Sequence, residues 1–244
     1  MYIKYEHVDI AYDDHTVLQD VCFEADAGEF IYLIGKVGTG KSSLLKTFYG
    51  ELDVHSGEAT VLDFNLKKLK SKRLSALRKQ LGIVFQDFQL LMDRNIWHNL
   101  DFVLKATGTK NKQERRKRIE EVLHQVGLED KADKMPYELS GGEQQRICIA
   151  RAILNRPKII LADEATGNLD SENSQRAAEL LHHISESGTT VIMSTHNESL
   201  INAFPGIVYR CTDGHVEECT EQYHARLKAS DIQTESLETT NENN

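Results

Sequence analysis

The 244 residues are 40% apolar and 27% charged, an ordinary globular composition long enough for one large domain with a substantial core. A formal net charge of -9 argues against a fold that holds nucleic acid by bulk attraction. No apolar run nears the roughly 18 residues of a bilayer-crossing helix, and the opening "MYIKYEHVDIAYDD" carries charge throughout, unlike a signal peptide.

In chain order, "MYIKYEHVDIAY" and "VLQDVCFEADAGE" read as half-exposed strands. "EFIYLIG" (29–35) is almost wholly apolar, a strand buried on both faces, and leads through "GKVGTGKS" into the helix former "KSSLLKTFYGEL". "SGEATVLD" (56–63) reads as another antiparallel strand and "LGIVFQ" (81–86) as a second buried one. A mostly helical stretch at about 88–150 ends in the helix "EQQRICIARAILNR". Then come the strand "KIILADE" (158–164), the helix "SQRAAELLHHISES", the strand "TTVIMSTH" (189–196) and "IVYRCTDGHVEEC", whose Asp-Gly marks a hairpin. Strands alternating with helices predict an α/β fold with a parallel-sheet core and a small antiparallel flap. The domain is expected to span 1–218, and the polar, acidic 219–244 to be a flexible tail.

Cys22, Cys148, Cys211 and Cys219 form no CxxC pair and read as free thiols of a reducing compartment, which places the chain in the cytoplasm. The basic runs 67–79 and 110–118 read as solvated helix faces rather than nucleic-acid or lipid sites.

Three motifs carry chemistry. "GKVGTGKS", residues 35–42, fits G-x-x-x-x-G-K-[ST] between a strand and a helix, so its backbone N–H groups can curl around phosphate. Gly35, Lys36, Val37, Gly38, Thr39, Gly40, Lys41, Ser42 and Ser43 are the candidate phosphate-binding residues, with Lys41 on the β- and γ-phosphates and Ser42 on Mg²⁺. Asp163 ends a buried strand and can hold Mg²⁺; Glu164 can polarise a water for attack on the γ-phosphate. Ser140, Gly141 and Gly142 precede a helix and offer a second anion site, or merely an N-cap and a turn.

"GKVGTGKS", "ELSGGEQQR" and "ILADE" in this order resemble the ATPase subunits of the ABC superfamily over roughly residues 1–218. The resemblance implies a P-loop NTPase cassette with a parallel-sheet core, an antiparallel β subdomain and a helical subdomain bearing the signature. It also implies ATP and Mg²⁺ as ligands and a head-to-tail dimer, in which the phosphate loop of one chain meets the signature of the other. By the same resemblance Tyr12 stacks on adenine, Gln86 reaches Mg²⁺ and the attacking water, Asp170 speaks across the dimer, and His196 senses the γ-phosphate. "VFQDFQLLMDRNIWHNL" (84–100) is most similar to the cell-division FtsE branch. That branch implies an FtsX-like membrane permease as partner, a place on the inner face of the membrane, and control of cell-wall hydrolases. Rival readings are the ATPase of a lipoprotein-release or export transporter, and a soluble cassette acting on DNA or in cofactor assembly. Ala165 departs from the proline usual at its position, and Lys36, Val37 and Asn95 are less usual, but none removes a chemical group.

Overall fold

The computed structural model describes residues 1–13, 15–54 and 56–225. Their elements are β1 (Ile3–Tyr12), β2 (His15–Ala25), β3 (Phe30–Ile34), α1 (Lys41–Phe48), β4 (Glu58–Val61), β5 (Phe64–Asn65), α2 (Ser71–Arg78), β6 (Leu81–Val84), α3 (Ile96–Thr107), α4 (Lys112–Gln125), α5 (Gly141–Ile153), β7 (Ile159–Ala162), α6 (Ser171–Glu186), β8 (Thr190–Ser194), α7 (Glu198–Ala203), β9 (Ile207–Thr212) and β10 (His215–Glu218).

The central sheet has the order β10-β9-β3-β8-β7-β6, parallel throughout except for β10, which folds back on β9. Asp213 and Gly214, both at positive φ, make that hairpin turn. The near-continuous apolar runs follow from burial on both faces. In β3, Phe30 and Tyr32 enter one core while Ile31 and Leu33 enter the other, and β7 divides Ile160 and Ala162 from Ile159 and Leu161 in the same way. One core lies against α3, α4, α5 and α6; the other is closed by α1 and an antiparallel sheet of order β2-β1-β4-β5.

The parallel pairing brings the C-terminal ends of β3, β7 and β8 side by side, which is where an open α/β sheet presents its ligand site. Packing continues beyond residue 218. Cys219 and Tyr223 are each 3% exposed and belong to the larger core, and 220–225 form a helical turn. The expected flexible tail is therefore corrected at its start, because an apolar pair spaced by four residues anchors one helical turn; residues 226–244 lie outside the described residues. No helix of the described residues is long and apolar enough to cross a membrane.

Candidate functional site

Residues 35–40 link the end of β3 to the start of α1. Gly40 caps α1 at φ 97°, a left-handed position where a side chain would also run into Leu18, 2.8 Å from the added Cβ. Lys41, 4% exposed, turns its ammonium back into the loop and donates to the carbonyls of Gly35 (2.9 Å) and Lys36 (3.1 Å). Thr39 donates its hydroxyl to the Lys36 carbonyl at 2.9 Å. Ser43 is buried beneath the loop, whereas Val37 is 90% exposed and Gly38 meets open space.

Asp163 and Glu164 follow β7 directly, and the Asp163 N–H still donates to Val84 O on β6 at 3.0 Å. One Asp163 oxygen, Oδ1, accepts from Ser42 Oγ at 3.0 Å and from Ser194 Oγ at 2.8 Å. Ser194 in turn accepts the Glu164 N–H at 2.8 Å, helping to hold Glu164 at φ 44°, an uncommon left-handed conformation for a residue other than glycine. The Glu164 carboxylate lies between the Lys41 ammonium and the His196 ring, with Oε1 3.6 Å from Lys41 Nζ and Oε2 3.9 Å from His196 Nδ1. Lys41, Ser42, Asp163, Glu164 and His196 thus converge on one place.

Two openings flank this cluster. One, about 330 Å³, is lined by Lys46, Tyr49, Gln86 and Asp163 among others; the second, about 630 Å³, by Gly35, Lys36, Thr39, His196 and Arg210 among others. Tyr12 stands 44% exposed at the β1–β2 turn, and together with Glu51 raises the pKa of Lys46, Glu51 making the larger contribution.

Ser140, Gly141 and Gly142 line neither opening. Ser140 is the N-cap of α5 in a reciprocal capping box: its Oγ accepts the Glu143 N–H at 3.3 Å, and Glu143 Oε2 accepts the Ser140 N–H at 2.8 Å. That backbone hydrogen bond is the main cause that holds the Glu143 carboxyl below its ordinary pKa. Ser140 and Gly141 are exposed, so the helix N-terminus faces outward. Asp170 caps α6, accepting the Asn173 N–H at 2.8 Å and its Nδ2 at 2.7 Å; these contacts depress its pKa. The loop of residues 35–42 and the outward-facing start of α5 share no opening within one copy.

The sequence profile of the ABC transporter family matches residues 18–167. The chain belongs to the ABC transporter family. This cassette is 42% identical over 201 residues to the cell division ATP-binding protein FtsE of Streptococcus pneumoniae, covering 82% of this chain and 87% of that protein. It is 40% identical over 215 residues to FtsE of Escherichia coli K12, covering 88% and 96%. Among solved structures it resembles the ATP-binding cassette MJ0796 in a dimeric post-hydrolysis state bound to ADP and Pi, with TM-score 0.80 and 32% identity over 89% of this chain and 98% of that one.

Sequence reasoning missed three parts of the cassette's site. Ser194 joins Asp163 to Glu164, and its signal was a lone hydroxyl at the end of the apolar run "TTVIMS". Asn173 packs beside Gly142, with the pattern D-x-x-N as its only trace. Arg151 and Cys148, on α5, both donate to the Phe88 carbonyl, and Arg151 donates also to that of Gln89. Nothing local announced this last tie, which spans about sixty residues of chain.

Proposed function

We propose that this cassette is the ATP-hydrolysing subunit of a membrane complex of the FtsEX type, working as a homodimer on a polytopic membrane protein from the cytoplasmic side. The junction at Asp163 and Glu164 carries the hydrolytic reading: Ser42, Ser194 and Lys41 reach those carboxylates at 3.0, 2.8 and 3.6 Å. The loop from Gly35 to Ser43 wraps its N–H groups around the β- and γ-phosphates, aided by the N-terminus of α1. Lys41 exchanges its two carbonyl contacts for phosphate oxygens. Tyr12 offers its ring to adenine.

The hydroxyl of Ser42, the carboxylate of Asp163 and the amide oxygen of Gln86 are hard oxygen donors, a set that suits Mg²⁺, which when bound neutralises charge on the phosphates. Glu164 orients a water toward the γ-phosphate and draws off its proton, and His196 holds the γ-phosphate from the end of β8. Ser140, Gly141, Gly142 and Asp170 close over the nucleotide of a second copy, which accounts for a helix start that faces away from its own phosphate loop. The relatives named cell division ATP-binding protein FtsE, 40–42% identical over most of the chain, support this reading, to which a permease of the FtsX kind and, downstream of it, control of cell-wall hydrolases belong.

The test is to recover partners of the Glu164→Gln protein from detergent-solubilised membranes with ATP and Mg²⁺, and to identify them by mass spectrometry. An FtsX-like protein supports the reading. A lipoprotein-release or export permease moves the cassette to a transporter, and soluble or nucleic-acid partners alone, with membrane proteins well extracted, overturn the membrane role.

A further inference from the structure

Residues 66–80, "LKKLKSKRLSALRKQ", hold seven Lys and Arg and no acid, in a chain of net charge -9. All seven side chains are exposed. Three of them donate to backbone carbonyls: Lys67 to Gly57 (3.0 Å), Arg73 to Asp63 (3.4 Å), and Arg78 to Tyr49 and Gly50 (2.9 Å each). Lys68, Lys70, Lys72 and Lys79 have no hydrogen-bond partner for their ammonium groups among the described residues, and none of the seven is ion-paired with a carboxylate there.

The second basic run behaves differently. Arg115 pairs with Asp101 at 2.6 Å, Arg116 with Glu120 at 2.9 Å and Arg118 with Glu121 at 3.1 Å. The arginines of that run are thus neutralised, and only its three lysines, Lys110, Lys112 and Lys117, are exposed without an ion pair among the described residues. The arginines of the run on α2 are not so paired.

The uncompensated charge is held in one place. Leu77 is fully buried and Leu74 packs against Gly50, so Lys72 and Lys79, seven residues apart, share the opposite face of α2. The Arg78 contacts fix α2 to the C-terminal end of α1 at Tyr49, which lines the same opening as Gln86. The face that carries Lys72 and Lys79 therefore points away from α1, on the outer side of α2.

We propose that the α2 face docks on anionic lipid headgroups. The chemistry favours a lipid surface over a nucleic acid. The four free cations are all lysines, point charges that suit scattered phosphates, while both arginines, the side chains that read bases by paired hydrogen bonds, are committed to carbonyls. Phe64, beside the cluster, is half-buried and has Arg73 over its ring at 5.4 Å from the centroid, so it is not a free platform for base stacking. The surface goes beyond the ATPase reading and depends only on charges of this chain, so its failure would leave that reading intact.

The experiment is co-sedimentation of the full chain with phosphatidylcholine vesicles containing or lacking phosphatidylglycerol. The wild-type protein is expected on the anionic vesicles only, and to be released by salt. Each lysine near an anionic surface contributes roughly a fivefold gain in partitioning, so the Lys68→Gln, Lys70→Gln, Lys72→Gln, Lys79→Gln protein loses on the order of a hundredfold or more. An Arg116→Gln, Arg176→Gln protein, each arginine being paired with a glutamate on its own helix, should sediment like wild type, and unchanged thermal unfolding checks that each variant folds. Equal sedimentation with both vesicle types, no loss in the fourfold variant, or tighter lysine-dependent binding to a DNA duplex than to anionic vesicles overturns the proposal.

Discussion

The side-chain amide of Asn173 occupies the space that a Cβ on Gly142 would need. Asp170 holds that amide in place at 2.7 Å, so the start of α6 and the start of α5 are fitted together through a missing side chain. Gly142→Ala should therefore cost about 1–3 kcal/mol in denaturant unfolding, the usual penalty of overpacking. Adding Asn173→Ala should return most of that loss. If Gly142→Ala unfolds at the wild-type denaturant concentration, the fit is not what requires glycine.

Glu164→Gln keeps size and shape but cannot take a proton. Turnover should fall by at least roughly a hundredfold, with ATP still bound and a dimer visible by size-exclusion chromatography. Turnover at the wild-type rate would remove Glu164 from the reaction.

Lys41 holds two carbonyls of the loop and is proposed to exchange them for phosphate oxygens, so its replacement removes both the loop's tie and its charge toward the nucleotide. Lys41→Ala should weaken ATP affinity by roughly ten- to a hundredfold, the value of a charge-assisted hydrogen bond. Equilibrium titration with a fluorescent ATP analogue reads this directly, and undiminished affinity would disprove the assignment.

Three of the four thiols are buried and one, Cys22, is exposed. Burial pushes Cys148 up to about 11 and Cys211 up to about 12 and raises Cys219 as well, so in the folded protein they remain neutral thiols at pH 8. A thiol reagent at that pH should label Cys22 rapidly and the others only on unfolding. The sign of the linkage follows: above about pH 8.5 the unfolded thiols ionise and the folded ones do not, so stability declines as pH rises from there. A melting temperature that climbs between pH 8.5 and 10 would contradict it.

Gln145 is fully buried in α5, and neither end of its amide finds a hydrogen-bond partner among the described residues. A buried amide in that condition costs stability. Gln145→Leu, close in volume and apolar, should raise the unfolding free energy by about 1 kcal/mol or more. A variant less stable than wild type would mean that the amide is satisfied in solution.

The strands were legible where burial on both faces wrote long apolar runs, as in β3 and β8, and the place of the glycine-rich loop between strand and helix was legible from its glycines. Asp163 and Glu164 could be read as a pair of acids ending such a strand. The links among them could not. Ser194 bonds to Asp163 across 31 positions and Arg151 to Phe88 across 63, and no local pattern encodes a contact made by folding. The end of the cassette was misjudged for a related reason: Cys219 and Tyr223 sit in polar surroundings in sequence, and only the core shows where they go.

Phe88 and Gln89 both hold positive φ, and their carbonyls are gripped by the far end of α5. The chain leaves this turn through Leu91 and Met92, 37% and 53% exposed. Eleven residues of helix separate Arg151 from Ser140, a stiff rod about 16 Å long. The turn is thus a handle: whatever grasps Leu91 and Met92 from outside takes hold of one tip of the rod, and Ser140, the serine proposed to meet a second copy, rides on the other.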